Sequence, residues 1–214
     1  MEKPAKLIIF DLDGTLHRTD AFAVTVHQMA QQEFGYPMQT PEQIRATFGA
    51  PSTEYLPALL PGSDTDTQRR YVHRMVELET EHLHLAAAYD GSAEMLEKMR
   101  QDGWLTAVCS NSSHRYISTI LKAIHLEELI DFIQPLDADA GHKGVSLFRL
   151  LQKVQPEKAL MVGDTIFDLK AARENNLPFI GCLYGFRPAE MAEADRKVST
   201  TLEIPAAADE LLLS

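Results

Sequence analysis

Short runs of apolar residues alternate along the chain with longer segments in which apolar residues recur every three or four positions. The apolar runs lie at 7–10, 105–109, 131–133, 159–162 and 178–182. Runs of this length between helical segments are typical of buried parallel strands. The periodic segments predict helices, at 92–102, 113–124, 144–154 and 166–176. This alternation predicts an α/β fold: a Rossmann-like, three-layer core with a parallel sheet between helices and right-handed crossovers.

The interval between the first and second apolar runs is too long for a single crossover helix. Residues 20–34 have helical periodicity, and 40–43 has the Thr-Pro-Glu-Gln pattern of a helix start with a capping box. One face of a further helix is predicted from the spacing of Tyr71, Met75, Leu78, His82 and Leu85. We therefore predict an all-helical cap domain at 19–85, inserted into a core domain formed by 1–18 and 86–214.

The composition limits the classes of partner. The 214 residues include 20 Lys and Arg against 31 Asp and Glu, which gives a formal net charge of −11. Nucleic acid and anionic lipid need a basic patch, so we expect neither as a partner. The N-terminal apolar run is too short for a signal peptide, and no segment reaches membrane-spanning length. Cys109 and Cys182 each lie in an apolar run, which favours reduced core thiols in a cytoplasmic protein.

Polar side chains follow directly after three of the predicted strands. They are Asp11, Asp13, Ser110, Asn111, Asp164 and Asp168. In an open α/β sheet, ligands bind outside the carboxyl ends of the strands. Four carboxylates in one crevice repel each other unless protons or a cation neutralise them. Mg²⁺ prefers oxygen ligands, often one or two carboxylates with waters and a substrate phosphate. The sequence therefore predicts a magnesium site at this edge of the sheet.

Four segments together resemble the haloacid dehalogenase superfamily. They are Asp-Leu-Asp-Gly-Thr at 11–15, Ser110, Lys143 and Gly-Asp-Thr-Ile-Phe-Asp at 163–168. The resemblance covers nearly the whole chain, and its first and last motifs are highly specific. The helical insert is similar to the cap of the family's first subclass, which includes phosphoglycolate phosphatases and β-phosphoglucomutases. One departure is Gly144, which stands where the family often has Pro after the motif lysine.

The resemblance implies a phosphatase that hydrolyses a small phosphate monoester through an aspartyl-phosphate intermediate. Asp11 is the expected nucleophile, because a carboxylate held against Mg²⁺ can attack phosphorus. Asp13 is the expected general acid and base, which protonates the leaving group and later deprotonates water. Ser110 and Lys143 are expected to hold the phosphoryl oxygens, where charge accumulates in the transition state.

The resemblance also implies a ligand set for the metal. Mg²⁺ is expected on Asp11, Asp164 and the backbone carbonyl of Asp13. Asp168 is expected in a supporting role, in which it orients metal-bound water or Lys143. The expected substrate-binding residues are Gly14, Thr15 and Asn111.

Asp13 argues against dehalogenation, because a halide leaves without a proton and that branch lacks the second acid. A sugar-phosphate mutase similar to β-phosphoglucomutase stays an alternative, although Ala23 stands where that family has a cap histidine. A non-catalytic binding module on the same fold is the third hypothesis, and the complete set of motif residues speaks against it. The substrate, the oligomeric state and the roles of His17 and Arg18 stay open.

The predicted cap offers few clear signals. Its candidate anion contacts, for which a solvated helix face is the simpler interpretation, are Arg45, Arg69, Arg70, His73 and Arg74. The Gly- and Pro-containing turn at 48–52 is predicted to influence specificity. His82 and His84 are expected to point apart on one helix, which disfavours a metal pair. A helical lid over the strand ends would admit a small molecule and obstruct a folded protein.

Overall fold

The computed structural model describes residues 6–48, 50, 52–136 and 139–213. Contacts along the chain divide it into two compact units. Residues Arg18–Ala87 form the first, here called the helical unit, and Met1–His17 with Ala88–Ser214 form the second, here called the core unit. That the helical unit acts as a cap stays a prediction.

The helices of the described residues follow the chain in this order: α1 (Asp20–Glu33), α2 (Pro41–Arg45), α3 (Ser52–Leu59), α4 (Thr65–Glu81), α5 (Ser92–Gln101), α6 (His114–Ala123), α7 (Lys143–Val154), α8 (Ile166–Glu174) and α9 (Ile204–Leu213). The described strands are β1 (Lys6–Phe10), β2 (Trp104–Cys109), β3 (Phe132–Gln134), β4 (Lys158–Gly163), β5 (Phe179–Cys182) and β6 (Arg196–Val198). The helices α1 to α4 belong to the helical unit, and α5 to α9 and the six strands belong to the core unit.

The core unit is built on one parallel sheet of these six strands, in the order β3-β2-β1-β4-β5-β6. Its parallel pairs and flanking helices confirm the predicted α/β fold. The central strand β1 has β2 on one side and β4 on the other, with Ile9 in register with Ala107 and Met161. The carboxyl ends of these three strands therefore meet at one edge of the sheet. The strand order reverses at this point, and ligands bind at such a switch point in this class of fold.

One face of the sheet packs against α7 and α8. Its buried cluster includes Leu7, Ile9, Leu147, Leu150, Met161 and Leu169. Side chains alternate across a strand, so Ile8 and Phe10 point to the opposite face, and both are fully buried there. Full burial of one such side chain stabilises the fold by about 1.5–3 kcal/mol. The continuous apolar run of β1 thus follows from a strand that is covered on both faces.

The helical unit has a small core of its own. The face predicted for α4 is buried at Tyr71, Met75 and Leu78. Thr40 caps α2 through the predicted capping box with Gln43, because each side chain accepts a hydrogen bond from the other residue's backbone. These contacts confirm two of the predicted local features.

Several elements differ from the predicted ones. The edge strand β6 lacks an apolar run, because Arg196 and Lys197 are exposed and only Val198 is buried. Neither α3 nor α9 is among the predicted helices. The apolar face predicted to continue through Leu85 is wrong at its end, since α4 stops at Glu81 and a short 3-10 helix, Leu83–Leu85, follows.

Candidate active site

Asp11 is the residue immediately after β1, and its backbone is still hydrogen-bonded to the sheet. Its backbone N–H donates to the Val162 carbonyl at 2.9 Å, which extends the pairing with β4. Its side chain is buried, with 9% of its surface exposed. The pairing with β4 therefore fixes the backbone of Asp11, and the carboxylate lies at the sheet edge.

The turn after Asp11 requires a glycine. Gly14 has a φ of +92°, a backbone conformation that L side chains rarely adopt. A Cβ atom at this position would stand 2.3 Å from Asp164 Oδ2 and 2.7 Å from the Phe186 ring. The backbone of the first motif thus approaches the last motif more closely than any side chain allows.

Lys143 is the first residue of α7, and its side chain is only 4% exposed. Its ammonium donates to Asp11 Oδ1 and, at 2.5 Å, to Asp168 Oδ1. Although burial alone would lower the pKa of Lys143, these two carboxylates raise it above its ordinary value, so the ammonium stays charged. Burial raises the pKa of Asp11 to about 7, helped by Asp168 and Asp13 and opposed by Lys143.

Asp164 and Asp168 follow β4 and are almost completely buried. Asp164 Oδ2 accepts a hydrogen bond from the Phe186 backbone N–H at 2.7 Å, and its Oδ1 lies 3.4 Å from the Thr15 hydroxyl. Asp168 Oδ2 accepts from the backbone N–H and hydroxyl of Thr165 at 3.0 and 2.8 Å, as a capping box at the start of α8. Burial raises the pKa of Asp164 well above its ordinary value, and the neighbouring carboxylates add to this effect.

The donor set fits a divalent cation. Asp11, Asp164 and Asp168 each offer an oxygen, and these oxygens lie within 4.8 Å of one another. One ammonium, from Lys143, faces the three buried carboxylates, so a further positive charge would relieve their repulsion. A Cβ at Gly14 or Gly185 would come within 2.5 Å of Asp164 Oδ2, so only glycines allow the backbone to pack this closely against the carboxylate. Hard oxygen donors of this kind suit Mg²⁺.

Asp13 is less buried than the other motif carboxylates, with 16% of its side chain exposed. Its Oδ1 atom lies 3.0 Å from His17 Nδ1 and accepts a hydrogen bond from the Tyr116 hydroxyl, also at 3.0 Å. His17 is fully buried, whereas Arg18 is exposed and begins the helical unit.

Ser110 lies directly after β2 and is 3% exposed. Its backbone N–H donates to the Gln134 carbonyl, and its hydroxyl accepts from the Ser112 N–H at 3.1 Å. Asn111 follows it and is half-buried. Both residues belong to the loop that leads from the sheet edge into α6.

The structure thus brings Asp11, Lys143, Asp164 and Asp168 into direct or near contact, and Thr15 lies beside them. Their catalytic roles stay predictions. Three contacts were not predicted, namely those of Thr165, Tyr116 and the Phe186 backbone. The spacing of Thr165 and Asp168 resembles a capping box and offered a local signal. The other two depend on distant parts of the chain.

The charged residues of the helical unit mostly pair within it. Arg69 and Arg70 contact Asp66, and Arg45 contacts Asp20. These pairs favour the interpretation of a solvated surface. Of the predicted specificity turn at 48–52, positions 49 and 51 lie outside the described residues.

The prediction that His82 and His84 point apart is wrong. His82 ends α4 and His84 lies in the following 3-10 helix, so the two are not on one continuous helix. Their ring centroids are 6.2 Å apart and the rings are roughly stacked.

Comparison with known proteins identifies the class. A family model for haloacid dehalogenase-like hydrolases matches residues 8–182, so the chain belongs to this family. The phosphoglycolate phosphatase of Vibrio parahaemolyticus is 28% identical over an alignment of 207 positions that covers 90% of each chain. That of Mannheimia succiniciproducens is 30% identical over 202 residues, covering 87% of this chain and 89% of its own.

A crystal structure described as a predicted phosphoglycolate phosphatase from Haemophilus somnus shares the fold, with a TM-score of 0.86 and 20% identity. The match covers 97% of this chain and 100% of that one. These findings confirm the predicted enzyme class, a phosphoric monoester hydrolase of the haloacid dehalogenase type. Within the described residues, no helix has the length and hydropathy of a membrane span.

Proposed function

We propose that this phosphatase hydrolyses a small phosphorylated metabolite in the presence of Mg²⁺, and that Asp11 is its nucleophile. The observation that carries the proposal is the contact of Asp11 with Lys143 beside two further buried carboxylates at the sheet edge. Asp11 and Asp164, with the Asp13 carbonyl, would hold the metal. The bound Mg²⁺ would neutralise charge on the phosphoryl group and on the carboxylates around it.

In the first step, an Asp11 carboxylate oxygen attacks phosphorus, and the bond from phosphorus to the leaving oxygen breaks. Asp13 donates a proton to that oxygen, so the product leaves as an alcohol. Phosphorus is then bound to Asp11 as an acyl phosphate. The ammonium of Lys143 lies beside Asp11, where it stabilises the charge that builds up on the phosphoryl oxygens.

In the second step, Asp13 accepts a proton from water as the water oxygen attacks phosphorus. The bond between phosphorus and Asp11 breaks, which releases inorganic phosphate and restores the carboxylate. Ser110 and the backbone of Gly14 and Thr15 lie around the strand ends and would hold the phosphoryl oxygens through both steps.

The relatives and the net charge of the chain support the proposed substrate class. The most suitable first substrate is 2-phosphoglycolate, because several relatives of similar length carry that activity in their names. The formal net charge of −11 disfavours nucleic acid as a substrate. A panel of phosphorylated metabolites, tested beside phosphopeptides and an intact phosphoprotein, would identify the preferred class.

The test of the mechanism is Asp11→Asn, which keeps the size of the side chain and removes the nucleophile. We expect turnover of p-nitrophenyl phosphate and of the best metabolite to fall by about 10³-fold or more, with a far-ultraviolet circular dichroism spectrum like that of the wild type. Wild-type turnover should stop with EDTA and return with Mg²⁺.

The matched control is Asp66→Asn, the same chemical change at a residue of the helical unit that is 59% exposed. Its turnover should stay within about twofold of wild type. Substantial turnover by Asp11→Asn, after exclusion of deamidation by mass spectrometry, would show that another residue attacks phosphorus.

A further inference from the structure

Two side chains outside the family motifs contact the same oxygen of Asp13. His17 Nδ1 and the Tyr116 hydroxyl each lie 3.0 Å from Asp13 Oδ1. Both contacts lie within the core unit. The two contacting residues come from different segments of the chain, since one follows β1 and the other lies in α6.

The backbone around His17 is fixed by the turn after β1. His17 N–H donates to the Leu12 carbonyl at 2.8 Å, and its own carbonyl accepts from the Gly14 N–H at 2.9 Å. His17 also forms isolated β-bridges with Asp13 and Ala88. Because its side chain is fully buried, the imidazole has little freedom to leave Asp13.

Tyr116 approaches Asp13 from α6, the helix that follows the neighbouring strand β2. It lies in the first turn of α6, where its backbone N–H donates to the hydroxyl of the N-cap residue Ser113. The start of α6 follows β2 through the loop that contains Ser110 and Asn111. The Tyr116 hydroxyl therefore reaches Asp13 from a different segment of the chain than His17 does.

We propose that His17 and Tyr116 are positioning residues, which hold the Asp13 carboxyl in the orientation that proton transfer requires. This inference rests on the proposed role of Asp13 as general acid and base. Proton transfer needs a heavy-atom distance of about 2.6–3.2 Å, and a free carboxyl samples several rotamers. Two hydrogen bonds from separate segments restrict those rotamers before substrate arrives, which lowers the cost of reaching the reactive geometry.

Tyr116→Phe is the main test, because it removes one hydroxyl and keeps the ring. We expect kcat/KM, which reports the steps up to formation of the acyl phosphate, to fall about tenfold for the best alkyl phosphate of the metabolite panel. It should fall at most about twofold for p-nitrophenyl phosphate, whose leaving group needs little protonation. The apparent affinity for Mg²⁺ should stay within about twofold.

The matched control is Tyr184→Phe in the same unit. Its hydroxyl donates to the Thr15 carbonyl at 3.0 Å, so the same atom is removed beside the same motif. We expect the ratio of the alkyl phosphate rate to the p-nitrophenyl phosphate rate to stay at the wild-type value. A ratio that falls as far as in Tyr116→Phe would contradict a specific effect on Asp13.

His17 provides a second, independent variant pair. His17→Asn keeps a donor close to the Nδ1 position, whereas His17→Leu removes it. We expect the leucine variant to show the same leaving-group-dependent loss and the asparagine variant to recover most of it. Melting temperatures of both variants separate this effect from a loss of folded protein, and Tyr116→Phe keeps the test decisive if His17→Leu does not fold.

The Asp13→Asn background separates failure of the inference from failure of the proposed function. Adding Tyr116→Phe there should cost less than about twofold, because the side chain that it positions no longer transfers protons. If Asp13→Asn alone lowers kcat/KM equally for both substrates, the proposed acid role is wrong. If Asp13→Asn is selective while Tyr116→Phe is unselective or fully additive, only the positioning inference is overturned.

Discussion

Lys143 in the core unit and Arg74 in the helical unit each meet more than one carboxylate, but they differ in their exposure to water. Lys143 is 4% exposed and contacts Asp11 and Asp168. Arg74 is 27% exposed and contacts three partially exposed glutamates, Glu33, Glu77 and Glu81. Water and salt screen the second group of charges and hardly reach the first.

This difference in exposure indicates that the charged groups have different roles in the two units. Exposed ion pairs contribute about 0–1 kcal/mol, so the pairs of Arg74 are compatible with a surface that needs only solubility and modest stability. Buried charges cost far more to desolvate, and three carboxylates around Lys143 leave an excess of negative charge at the sheet edge. A fold keeps such an arrangement where a cation and a charged substrate arrive.

A pair of glycine substitutions should show the largest difference between the two units. Gly14 in the core unit and Gly35 in the helical unit both have positive φ, at +92° and +72°. A Cβ at Gly14 would collide with Asp164, whereas a Cβ at Gly35 meets nothing within 4 Å. We expect Gly14→Ala to lower the free energy of unfolding by about 3–4 kcal/mol and to reduce turnover strongly.

Gly35→Ala should cost only the backbone strain, about 1 kcal/mol, with turnover unchanged. Urea denaturation and turnover of p-nitrophenyl phosphate measure both effects. Equal costs for the two variants would contradict the close approach of the first and last motifs.

Mg²⁺ binding tests the excess negative charge directly. We expect Mg²⁺ at about 100 times its dissociation constant to raise the free energy of unfolding by about 3 kcal/mol, because only the folded state presents the three carboxylates together. Asp164→Ala should erase most of this response, since it removes one ligand and part of the repulsion. Asp66→Asn, the exposed control, should respond like the wild type. A wild-type melting temperature that does not change with Mg²⁺ would contradict a metal site at the three carboxylates.

The pH dependence of stability should differ between the units. Burial lowers the pKa of His27 in the helical unit to about 4, and its Nδ1 lies 2.9 Å from the Tyr71 hydroxyl. The unfolded chain takes up a proton near pH 6.5 and the folded chain does not, so the stability present above pH 6.5 is lost as the pH falls toward 4. We expect a loss of about 3 kcal/mol, which His27→Gln should remove.

The metal-free core unit should respond with the opposite sign. Burial and neighbouring carboxylates raise the pKa of Asp11 to about 7, so between about pH 4 and 7 the folded state binds more protons than the unfolded chain. The core unit therefore loses stability as the pH rises through this range. Hydrogen exchange followed by mass spectrometry resolves the two units, and parallel pH responses would contradict the contrast.

How much the sequence could predict also differs between local and long-range features. The apolar runs predict the central strands, and the polar residues after them predict which side chains share the sheet edge, because parallel strands end on the same side. The edge strand β6 carries Arg196 and Lys197, so its pairing has no apolar signal. Edge strands need only one buried face and often carry charge.

The partners of Asp13 could not be predicted in this way. Tyr116 contacts Asp13 only because α6 starts three residues after Asn111 and turns its first helical residues toward the neighbouring strand end. The hydrophobic periodicity of the sequence does not predict this orientation of the first residues of α6. The hydrogen bond from the Phe186 backbone to Asp164 is independent of side-chain type and leaves no sequence signal at all.

The smallest expected effect concerns the surface network of the helical unit. Arg74 binds Glu33 through two hydrogen bonds of 2.7 and 3.0 Å and also contacts Glu77. We expect Arg74→Gln to lower the free energy of unfolding slightly at low ionic strength, because the remaining glutamates then repel each other, and by less than half as much in 0.5 M NaCl. Arg69→Gln, which breaks one pair at a residue 78% exposed, should have no measurable effect. Urea denaturation at both salt concentrations measures these differences. A loss for Arg74→Gln that persists undiminished in high salt would show that the helical unit, like the core unit, depends on charges shielded from water.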